Sequence, residues 1–239
     1  MTQYPVDHVL LTEADSGLRS TTQFLAVHTS EGALTVPSLL AFCANKANGA
    51  SYNTVIDRQG VTGRSNDDEF APWAAGYTGN ARGWHVCCLG FARQSRDEWL
   101  SYSGQINKLA EMLAHYCRQY GIPPVKISAA DLRAGRKGIC GHAEISQAWG
   151  EVNHTDPGPN FPWDVVIAKT AALVNGTPPP PTSGGFLMAL NDAEQRELLE
   201  LARYIKGQLG PWAQLGKNEK GENLTLVDAL ARHTAGGTK

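Results

Sequence analysis

The sequence predicts an α/β protein that carries a smaller helical part at its C-terminal end. Short apolar runs such as Phe24–Val27 are typical of buried strands. The segment Ser103–Tyr120 instead repeats apolar residues every three or four positions, which indicates an amphipathic helix. A run of four prolines, Pro178–Pro181, separates this mixture of strands and helices from the last part of the chain.

Composition and charge exclude several classes of partner. The chain has 239 residues, enough for one large or two small domains, and its net charge is −2. Such a charge gives no electrostatic reason to expect binding to nucleic acid or to an anionic membrane. No apolar run approaches the ~20 residues of a membrane-spanning helix, and the first residues lack the pattern of a signal peptide. We therefore expect neither a nucleic-acid partner nor membrane insertion.

The five cysteines do not follow the pattern of a disulfide framework. Their number is odd, and Cys87 and Cys88 are adjacent. We interpret them as buried thiols of a protein made in a reducing compartment. Cys140 is the exception, because it lies two residues before His142 and is an alternative metal ligand.

The first part of the chain contains two predicted strands and a helix. His28 directly follows the apolar run Phe24–Val27, so it is expected at the end of a strand, where a side chain can face a cleft. Apolar spacing predicts a helix over residues 36–46. Residues 51–60 are predicted to form a strand that enters a hairpin, with Tyr52 near its start.

The next part is predicted to hold the central strand of the fold. Residues 61–84 are rich in glycine and aromatic side chains, which predicts a loop that either forms a binding rim or is pinned by its aromatics. Trp84–Phe91 is typical of a fully buried strand. A short strand is expected over residues 126–128 and a helix over Trp163–Val174. Gly121 is expected to end the helix that begins at Ser103.

Residues 175–185 mark the clearest boundary, because prolines stiffen this segment and two glycines form a joint. The predicted organisation is a domain over residues 1–174, a linker over 175–185 and a small helical module over 186–239. Helix starts are expected near Asn191 and at Thr225. The module has too few apolar groups for a robust core of its own. We therefore expect it to pack on a second copy of the chain, on the first domain or on an external partner.

Two stretches near residue 150 supply side chains that bind metal ions. His142 lies in the first stretch, and His154 and Asp156 lie in the second, on backbone that glycine and proline are expected to hold outside regular helix. Zinc takes nitrogen and carboxylate ligands of this kind. We take His28 as the third ligand. Three protein ligands leave a fourth position open, which is typical of a catalytic zinc site.

Other assignments remain open. His154 could replace Asp156 as the ligand. Further carboxylates are expected to be solvated, and these are Asp57, Asp67, Asp68, Glu69 and Glu144. The sequence has no G-x-S-x-G motif and no phosphate loop, so nothing favours a serine nucleophile or a nucleotide.

A zinc site of this composition permits amide hydrolysis without a covalent intermediate. The bound water can have its pKa lowered to about 7. The reaction still requires a group that stabilises the developing oxyanion and a proton donor for the leaving amine. His154 and Tyr52 are the residues that we expect in these roles.

Several segments, in order along the chain, resemble those of the zinc-dependent N-acetylmuramoyl-L-alanine amidases, which have the amidase-2 or peptidoglycan-recognition-protein fold. The matching residues are 24–28, 51–60, 73–76, 80–90, 141–142 and 154–163. The similarity covers about residues 20–170, and its most specific part is the last motif, with Asp-Pro-Gly and Phe-Pro-Trp. The resemblance implies a central mixed sheet flanked by helices, with zinc in a groove. It also implies cleavage of the amide between the lactyl group of N-acetylmuramic acid and L-alanine in peptidoglycan.

Carried over residue by residue, the resemblance implies that the zinc ligands are His28, His142 and Asp156. The position of the family's common catalytic lysine, two before the aspartate, is His154 here, so charge at this position depends on pH. Tyr52 matches the branch of the family that has a tyrosine at the second strand.

Other family positions differ. One branch has a glutamate on the central strand, and the matching position here is Leu89. A histidine often found after the family's tryptophan is Ala74. Trp73 and Asn80 are expected to contact the substrate.

A Pro-rich linker, a small C-terminal module and the lack of a secretion signal resemble a bacteriophage endolysin, and the tail is similar to those of lysins from phages of actinobacteria. Such an enzyme would accumulate in the host cytoplasm and reach the wall after a holin opens the membrane. The module could bind a wall component or join copies of the chain into a homo-oligomer. Two alternatives are a peptidoglycan-binding module without activity and a cytosolic amidase that recycles muropeptides.

Overall fold

The computed structural model describes residues 3–32, 35–176 and 192–235. The chain divides into two compact units, Met1–Thr182 and Ser183–Lys239. Of the predicted linker, only Asn175 and Gly176 lie among the described residues.

The first unit combines eight strands with seven helices in its described residues. The strands are β1 His8–Val9, β2 Asp15–Leu18, β3 Phe24–Thr29, β4 Thr54–Ile56, β5 Thr62–Arg64, β6 Phe70–Pro72, β7 Gly83–Cys88 and β8 Gly138–Gly141. The helices are α1 Val36–Ala44, α2 Gly76–Arg82, α3 Arg96–Ser101, α4 Ser103–Tyr120, α5 Ala129–Arg133, α6 His142–Trp149 and α7 Trp163–Val174.

Six strands form a mixed sheet in the order β1-β5-β4-β7-β3-β8. Strand β7 lies in the middle and runs parallel to both β3 and β4, and β3 runs parallel to β8. The hairpin of β4 and β5 is antiparallel. The prediction of a central mixed sheet flanked by helices is therefore confirmed. Strands β2 and β6 form a separate antiparallel pair.

Alternate residues of the central strands face two different layers. Leu25, Val27, Trp84 and Val86 belong to one core cluster. This cluster also contains residues of α4 and α7, namely Ile106, Leu109, Met112, Leu113 and Val166. Because side chains alternate along a strand, the residues between them point to the opposite face.

The opposite face of the sheet carries two smaller clusters. Phe24, Ala26 and Cys140 pack with Ile145 of α6, and Val55, Cys87 and Leu89 pack with residues of α1. His28 lies between these two clusters. It is two residues after Ala26 of the first cluster, on the same side of β3, and it pairs with Cys87 of the second cluster. The fold thus places His28 on a face that is apolar on either side.

Several predicted boundaries agree with the structure. Helices α4 and α7 have the predicted limits, and Gly121 adopts φ of 60° at the end of α4. In this left-handed region glycine carries no steric penalty. Helix α1 ends two residues before the predicted limit, and the predicted strand over residues 51–60 contains only Thr54–Ile56.

The prediction of a loop over residues 61–84 is wrong in part, because β5, β6 and α2 lie within it. Two of its glycines allow close packing of neighbouring elements. A Cβ at Gly63 would lie 2.6 Å from Val36 Cγ1, and one at Gly83 would lie 2.3 Å from Phe24 Cε2. The predicted strand over residues 126–128 is also absent, since only an isolated bridge joins Lys126 to Ile139.

The second unit has two helices in its described residues, α8 Asp192–Leu209 and α9 Leu226–Ala235. Thr225 starts α9 with a reciprocal cap, in which Asp228 N donates to Thr225 Oγ1 and Thr225 N donates to Asp228 Oδ2. Leu224 is buried, whereas Tyr204 is 64% exposed. None of the helices in the described ranges has the length and apolar character that a membrane-spanning segment requires.

All five cysteines are described, and each is buried with a free thiol. Burial raises the pKa of Cys43 to about 11 and the pKa of Cys88 and Cys117 to about 12. It also raises the pKa of Cys87 and Cys140. The interpretation of these residues as buried thiols agrees with the structure.

Candidate metal centre and cleft

Three buried side chains from distant parts of the chain converge at one point. His28 Nδ1 lies 3.2 Å from His142 Nδ1 and 3.3 Å from Asp156 Oδ2. His142 Nδ1 lies 3.2 Å from Asp156 Oδ1. Two donors that each lie about 2.0 to 2.1 Å from a tetrahedral ion are about 3.3 Å apart. The three side chains, which form the His-His-Asp group, therefore fit a metal ion.

His142 is the first residue of α6, so the prediction that it lies outside regular helix is wrong. Gly141 ends β8 and caps this helix in an extended conformation, and Glu144 accepts a hydrogen bond from Gly141 N over 2.7 Å. This acidic residue three positions after the cap is a helix-start signal that the sequence already contained. The helix start fixes the direction of the His142 ring.

Asp156 lies on a loop that is tied to both other ligand segments. Ala143 N, in the first turn of α6, donates to Asp156 O over 3.1 Å. Thr29 N donates to Asp156 Oδ2 over 3.1 Å. The loop approaches so closely that a Cβ at Gly141 would lie 2.6 Å from Pro157 Cδ. Glycine at position 141 is therefore needed for the loop to place its carboxylate.

The electrostatics of the group suit a cation. Burial acts to raise the pKa of Asp156, but hydrogen bonds and charge interactions with His142 and His28 outweigh it and hold that pKa well below its ordinary value. Burial lowers the pKa of His142, although Asp156 opposes this shift. A charged carboxylate and a neutral imidazole are the forms that bind metal ions.

His85 is a neighbour of the site that the sequence analysis missed. Its Nδ1 lies 2.9 Å from His28 Nε2, and its Nε2 lies 3.1 Å from Gly79 O. Burial, and next the proximity of His28, lower its pKa well below 6.5. One sequence feature could have indicated His85, because it is the single polar residue in the apolar run between Trp84 and Gly90.

Tyr52 and His154 lie on either side of the group. The Tyr52 ring centroid is 5.4 Å from that of His28, and burial, then Cys87 and Asp156, raise the pKa of its phenol well above 10. Tyr52 is therefore a hydrogen-bond donor at any working pH. The exposed His154 ring stacks on His142 with centroids 4.5 Å apart, and its Nδ1 lies 4.0 Å from Asp156 Oδ1.

Most of the alternative ligands have other contacts. Cys140 packs in the apolar cluster of Phe24 and Ile145. Asp68 accepts hydrogen bonds from Trp84 and Tyr116, and Glu144 pairs with Lys126 besides capping α6. Asp57 accepts hydrogen bonds from Gln59 N and Val61 N, and Asp67 accepts one from Gln3 Nε2. The backbone carbonyl of Glu69 accepts one from Arg19 N.

The group faces a cleft of about 500 Å³. Trp73 and Asn80 both line this cleft, together with Tyr52 and His154. Asn80 Oδ1 accepts hydrogen bonds from Ala74 N and Ala75 N, so it also holds the loop that carries Trp73. The Trp73 indole donates to Ser16 Oγ over 3.2 Å.

The central strand has no carboxylate beside His28. Leu89 lies just beyond β7 and is buried against Val55. The residue of β7 in register with His28 is Cys87, which is also not acidic. Neither Leu89 nor Cys87 is acidic, so the carboxylate is missing at both positions, as predicted.

An α/β sheet with two imidazoles and a carboxylate at the floor of an open cleft has the organisation of a metal-dependent hydrolase. Residues 18–159, more than half of the chain, match the family model described as N-acetylmuramoyl-L-alanine amidase (Amidase_2). The chain therefore belongs to the N-acetylmuramoyl-L-alanine amidase family.

The fold is also found in a solved structure. The hydrolase AmiA of Staphylococcus aureus, crystallised in complex with its ligand, matches with a TM-score of 0.59 at 16% identity, over 75% of this chain and 90% of that one. The endolysine N-acetylmuramoyl-L-alanine amidase LysCS from Clostridium intestinale URNW matches with a TM-score of 0.48 at 14% identity, over 69% and 96%.

The C-terminal part has a separate relationship. Residues 190–236 match the family model described as the Rv3766 C-terminal domain. A stretch of 55 residues is 58% identical to the uncharacterized protein Rv3766 of Mycobacterium tuberculosis (strain ATCC 25618 / H37Rv). This stretch is 21% of the present chain, and it spans only 20% of the mycobacterial protein.

Proposed function

We propose that the chain uses Zn²⁺ held by His28, His142 and Asp156 to hydrolyse the amide bond between the lactyl group of N-acetylmuramic acid and L-alanine in peptidoglycan. The observation that carries this proposal is the convergence of three side chains in a member of the amidase family. The two imidazole nitrogens lie 3.2 Å apart, and each lies 3.2 to 3.3 Å from one oxygen of the Asp156 carboxylate. Two nitrogens and one carboxylate oxygen are a donor set that zinc accepts, with one position left for water.

The zinc ion, when bound, supplies Lewis acidity that makes a water nucleophilic near neutral pH. The protein residues supply the rest. Asp156 contributes a negative charge that stays ionised, because its neighbours hold its pKa low. The neutral Tyr52 phenol donates a hydrogen bond to the carbonyl oxygen of the scissile amide, where negative charge develops.

The leaving amine of L-alanine must gain a proton as the carbon–nitrogen bond breaks. We propose that His154 provides it, since the His154 ring is exposed to the cleft and stacks on His142. Trp73 would contact the substrate through its ring, and Asn80 would hold the backbone of the same loop. These two residues would position the glycan and the stem peptide.

Digestion of purified cell wall tests the reaction. We expect mass spectrometry to find stem peptides that begin with a free L-alanine amine, together with intact glycan strands. Removal of metal with a chelator is expected to stop their release, and one equivalent of zinc to restore it. Release that survives complete chelation would contradict the metal-dependent mechanism, and binding to wall without new amine termini would contradict enzymatic cleavage.

We also propose a role in host lysis, as a phage endolysin of an actinobacterial host. The predicted organisation has a catalytic domain over residues 1–174, a linker over 175–185 and a module over 186–239 that binds the wall or joins copies of the chain. The similarity of the C-terminal part to a mycobacterial protein supports the choice of host group. On this proposal the enzyme waits in the host cytoplasm and reaches the wall after a holin acts.

Expression in a mycobacterium tests this role. Production of the chain with a holin is expected to lyse the cells, and production without a holin is expected to leave them intact. A preference for soluble muropeptides over intact wall, with no lysis in either culture, would instead favour a recycling amidase.

A further inference from the structure

Two hydrogen bonds connect a helix carbonyl to the ring nitrogen of His28 that points away from His142 and Asp156. Gly79 O, in α2, lies 3.1 Å from His85 Nε2, and His85 Nδ1 lies 2.9 Å from His28 Nε2. His28 Nδ1, on the other side of the ring, is the atom that faces His142 and Asp156. The connection therefore begins at rigid backbone and ends at a proposed metal ligand.

The acceptor at one end fixes the proton positions along this connection. A carbonyl oxygen can only accept, so His85 Nε2 must carry a hydrogen. His85 is 0% exposed, and burial away from water disfavours a second proton on its ring. His85 Nδ1 is therefore a bare nitrogen that accepts a hydrogen bond from His28 Nε2.

We infer that His85 is a positioning residue that holds His28 in the tautomer with a hydrogen on Nε2 and a lone pair on Nδ1. This inference rests on the proposed metal site. Only the lone pair on Nδ1 can bind an ion shared with His142 and Asp156, because that atom lies 3.2 Å and 3.3 Å from their donor atoms. The other ring nitrogen of a metal-bound histidine typically donates to such a partner, which fixes the ring and strengthens the ligand.

The surroundings of His85 leave its ring little freedom. A Cβ at Gly83 would lie 2.8 Å from His85 Nε2, so only glycine fits two residues before it. The Phe24 ring meets the His85 ring edge-on, with centroids 6.2 Å apart. The pairing of His85 with Ala26 fixes the position of His85 along the strand direction relative to His28.

His142 has no such partner in the described part of the chain. Its Nε2 is buried and makes no hydrogen bond there. His142 is oriented by the start of α6 instead, whereas His28 depends on a side chain of the next strand. The two imidazole ligands therefore respond differently to a change at position 85.

Variants of His85 test the inference through zinc affinity. His85→Phe keeps a ring but removes the acceptor, and it is expected to raise the zinc dissociation constant about 10- to 100-fold. His85→Asn puts a carbonyl oxygen near the position of Nδ1, so it is expected to recover most of the affinity. Competition with a chromophoric chelator measures both, and circular dichroism verifies the fold. His8→Phe, at an exposed histidine of β1, is the matched control and should bind zinc as the unchanged protein does.

Two results with the variants would overturn the inference. One is a folded His85→Phe protein with unchanged zinc affinity, and the other is an equal loss in His85→Phe and His85→Asn, which would indicate packing alone. Nitrogen NMR shifts of the zinc-loaded, unchanged protein give an answer even if His85→Phe does not fold. They should report a protonated Nε2 in His28 and a bare Nδ1 in His85, and zinc on His28 Nε2 would contradict the inference. An unchanged protein that binds no zinc at all would refute the proposed metal site itself.

Discussion

The backbone amide of Thr29 donates a hydrogen bond to the Asp156 carboxylate over 3.1 Å, although the two residues are 127 positions apart in the sequence. Thr29 is the residue after His28, so one ligand segment orients the carboxylate of another. The bond uses a main-chain donor at the end of β3, which of all substitutions only one to proline would remove. A carboxylate held in this way keeps its direction before an ion binds, which reduces the ordering cost of binding.

Removal of a ligand is expected to abolish activity and leave the fold intact. Loss of metal catalysis removes several kcal/mol of transition-state stabilisation. The turnover of His28→Ala and Asp156→Ala should therefore fall by about 1,000-fold or more. The sheet core lies mainly on the face of α4 and α7, so circular dichroism should show an unchanged fold. The control His8→Ala, at an exposed position, should keep full activity. Near-normal turnover in either ligand variant would refute the assignment.

Loss of the Tyr52 hydroxyl is expected to slow the chemical step. The raised pKa of Tyr52 keeps the phenol protonated, so Tyr52→Phe removes a donor and no charge. The value of kcat should fall about 100-fold, as for other oxyanion donors, with zinc affinity unchanged. Steady-state kinetics with a muropeptide and a zinc titration separate the two effects. An unaltered kcat would exclude Tyr52 from the reaction.

The substitution His154→Lys is expected to extend activity toward higher pH. An imidazole loses its positive charge near neutral pH, whereas a lysine keeps its charge to higher pH. The exposed position of His154 accommodates the longer side chain. The rate should be measured against pH for both proteins at saturating zinc. Identical pH profiles would indicate that the charge at position 154 plays no part in catalysis.

The metal-free protein is expected to lose stability when the pH falls below about 6.5. Burial lowers the pKa of His85 and His142, so the unfolded chain takes up protons at a higher pH than the folded chain does. The contribution of these histidines to the free energy of unfolding is therefore fully present above about pH 6.5. It is lost as the pH falls toward their pKa values in the folded protein, by at most about 1.4 kcal/mol per pH unit for each histidine.

Urea unfolding with a chelator, between about pH 7.5 and about pH 5.5, measures this loss. The variant His85→Phe should show a smaller decrease than the unchanged protein, because one titrating group is gone. Asp156 does not change its charge in this pH range, since its pKa lies below its ordinary value. A pH-independent free energy of unfolding would contradict the predicted effect of burial on the two histidines.

Deletion of residues 186–239 is expected to separate recognition of the wall from chemistry. The His-His-Asp group lies entirely in the unit Met1–Thr182, so cleavage of small muropeptides should persist. Affinity for intact wall, or the oligomeric state measured by light scattering, should change. If neither property changes, the proposed role of the module is wrong.

The sequence predicted the three members of the His-His-Asp group because each lies in a local motif with a residue type that binds metals. It could not reveal their distances, since those depend on the pairing of β3 with β7 and β8 and on the loop at Asp156. His85 escaped notice because one histidine in an apolar strand resembles a core residue. Its role follows only from the register that places it beside Ala26, next to His28 on the neighbouring strand.

Short elements were harder to predict than long ones. Helix α4 has a repeated apolar face and a glycine stop, and both signals are local. Helix α2 and strand β5 contain Gly79 and Gly63, whose small size serves contacts with Ile145 and Val36. A glycine that serves packing cannot be distinguished, from the sequence alone, from one that serves a turn.

The burial of the thiols has a practical consequence for attaching a fluorescent dye to this protein. A maleimide dye reacts with thiolates, and all five native cysteines are buried with raised pKa values. A cysteine introduced at an exposed position such as Arg136 would therefore take up the dye selectively in the folded protein. The native thiols need not be removed before such labelling.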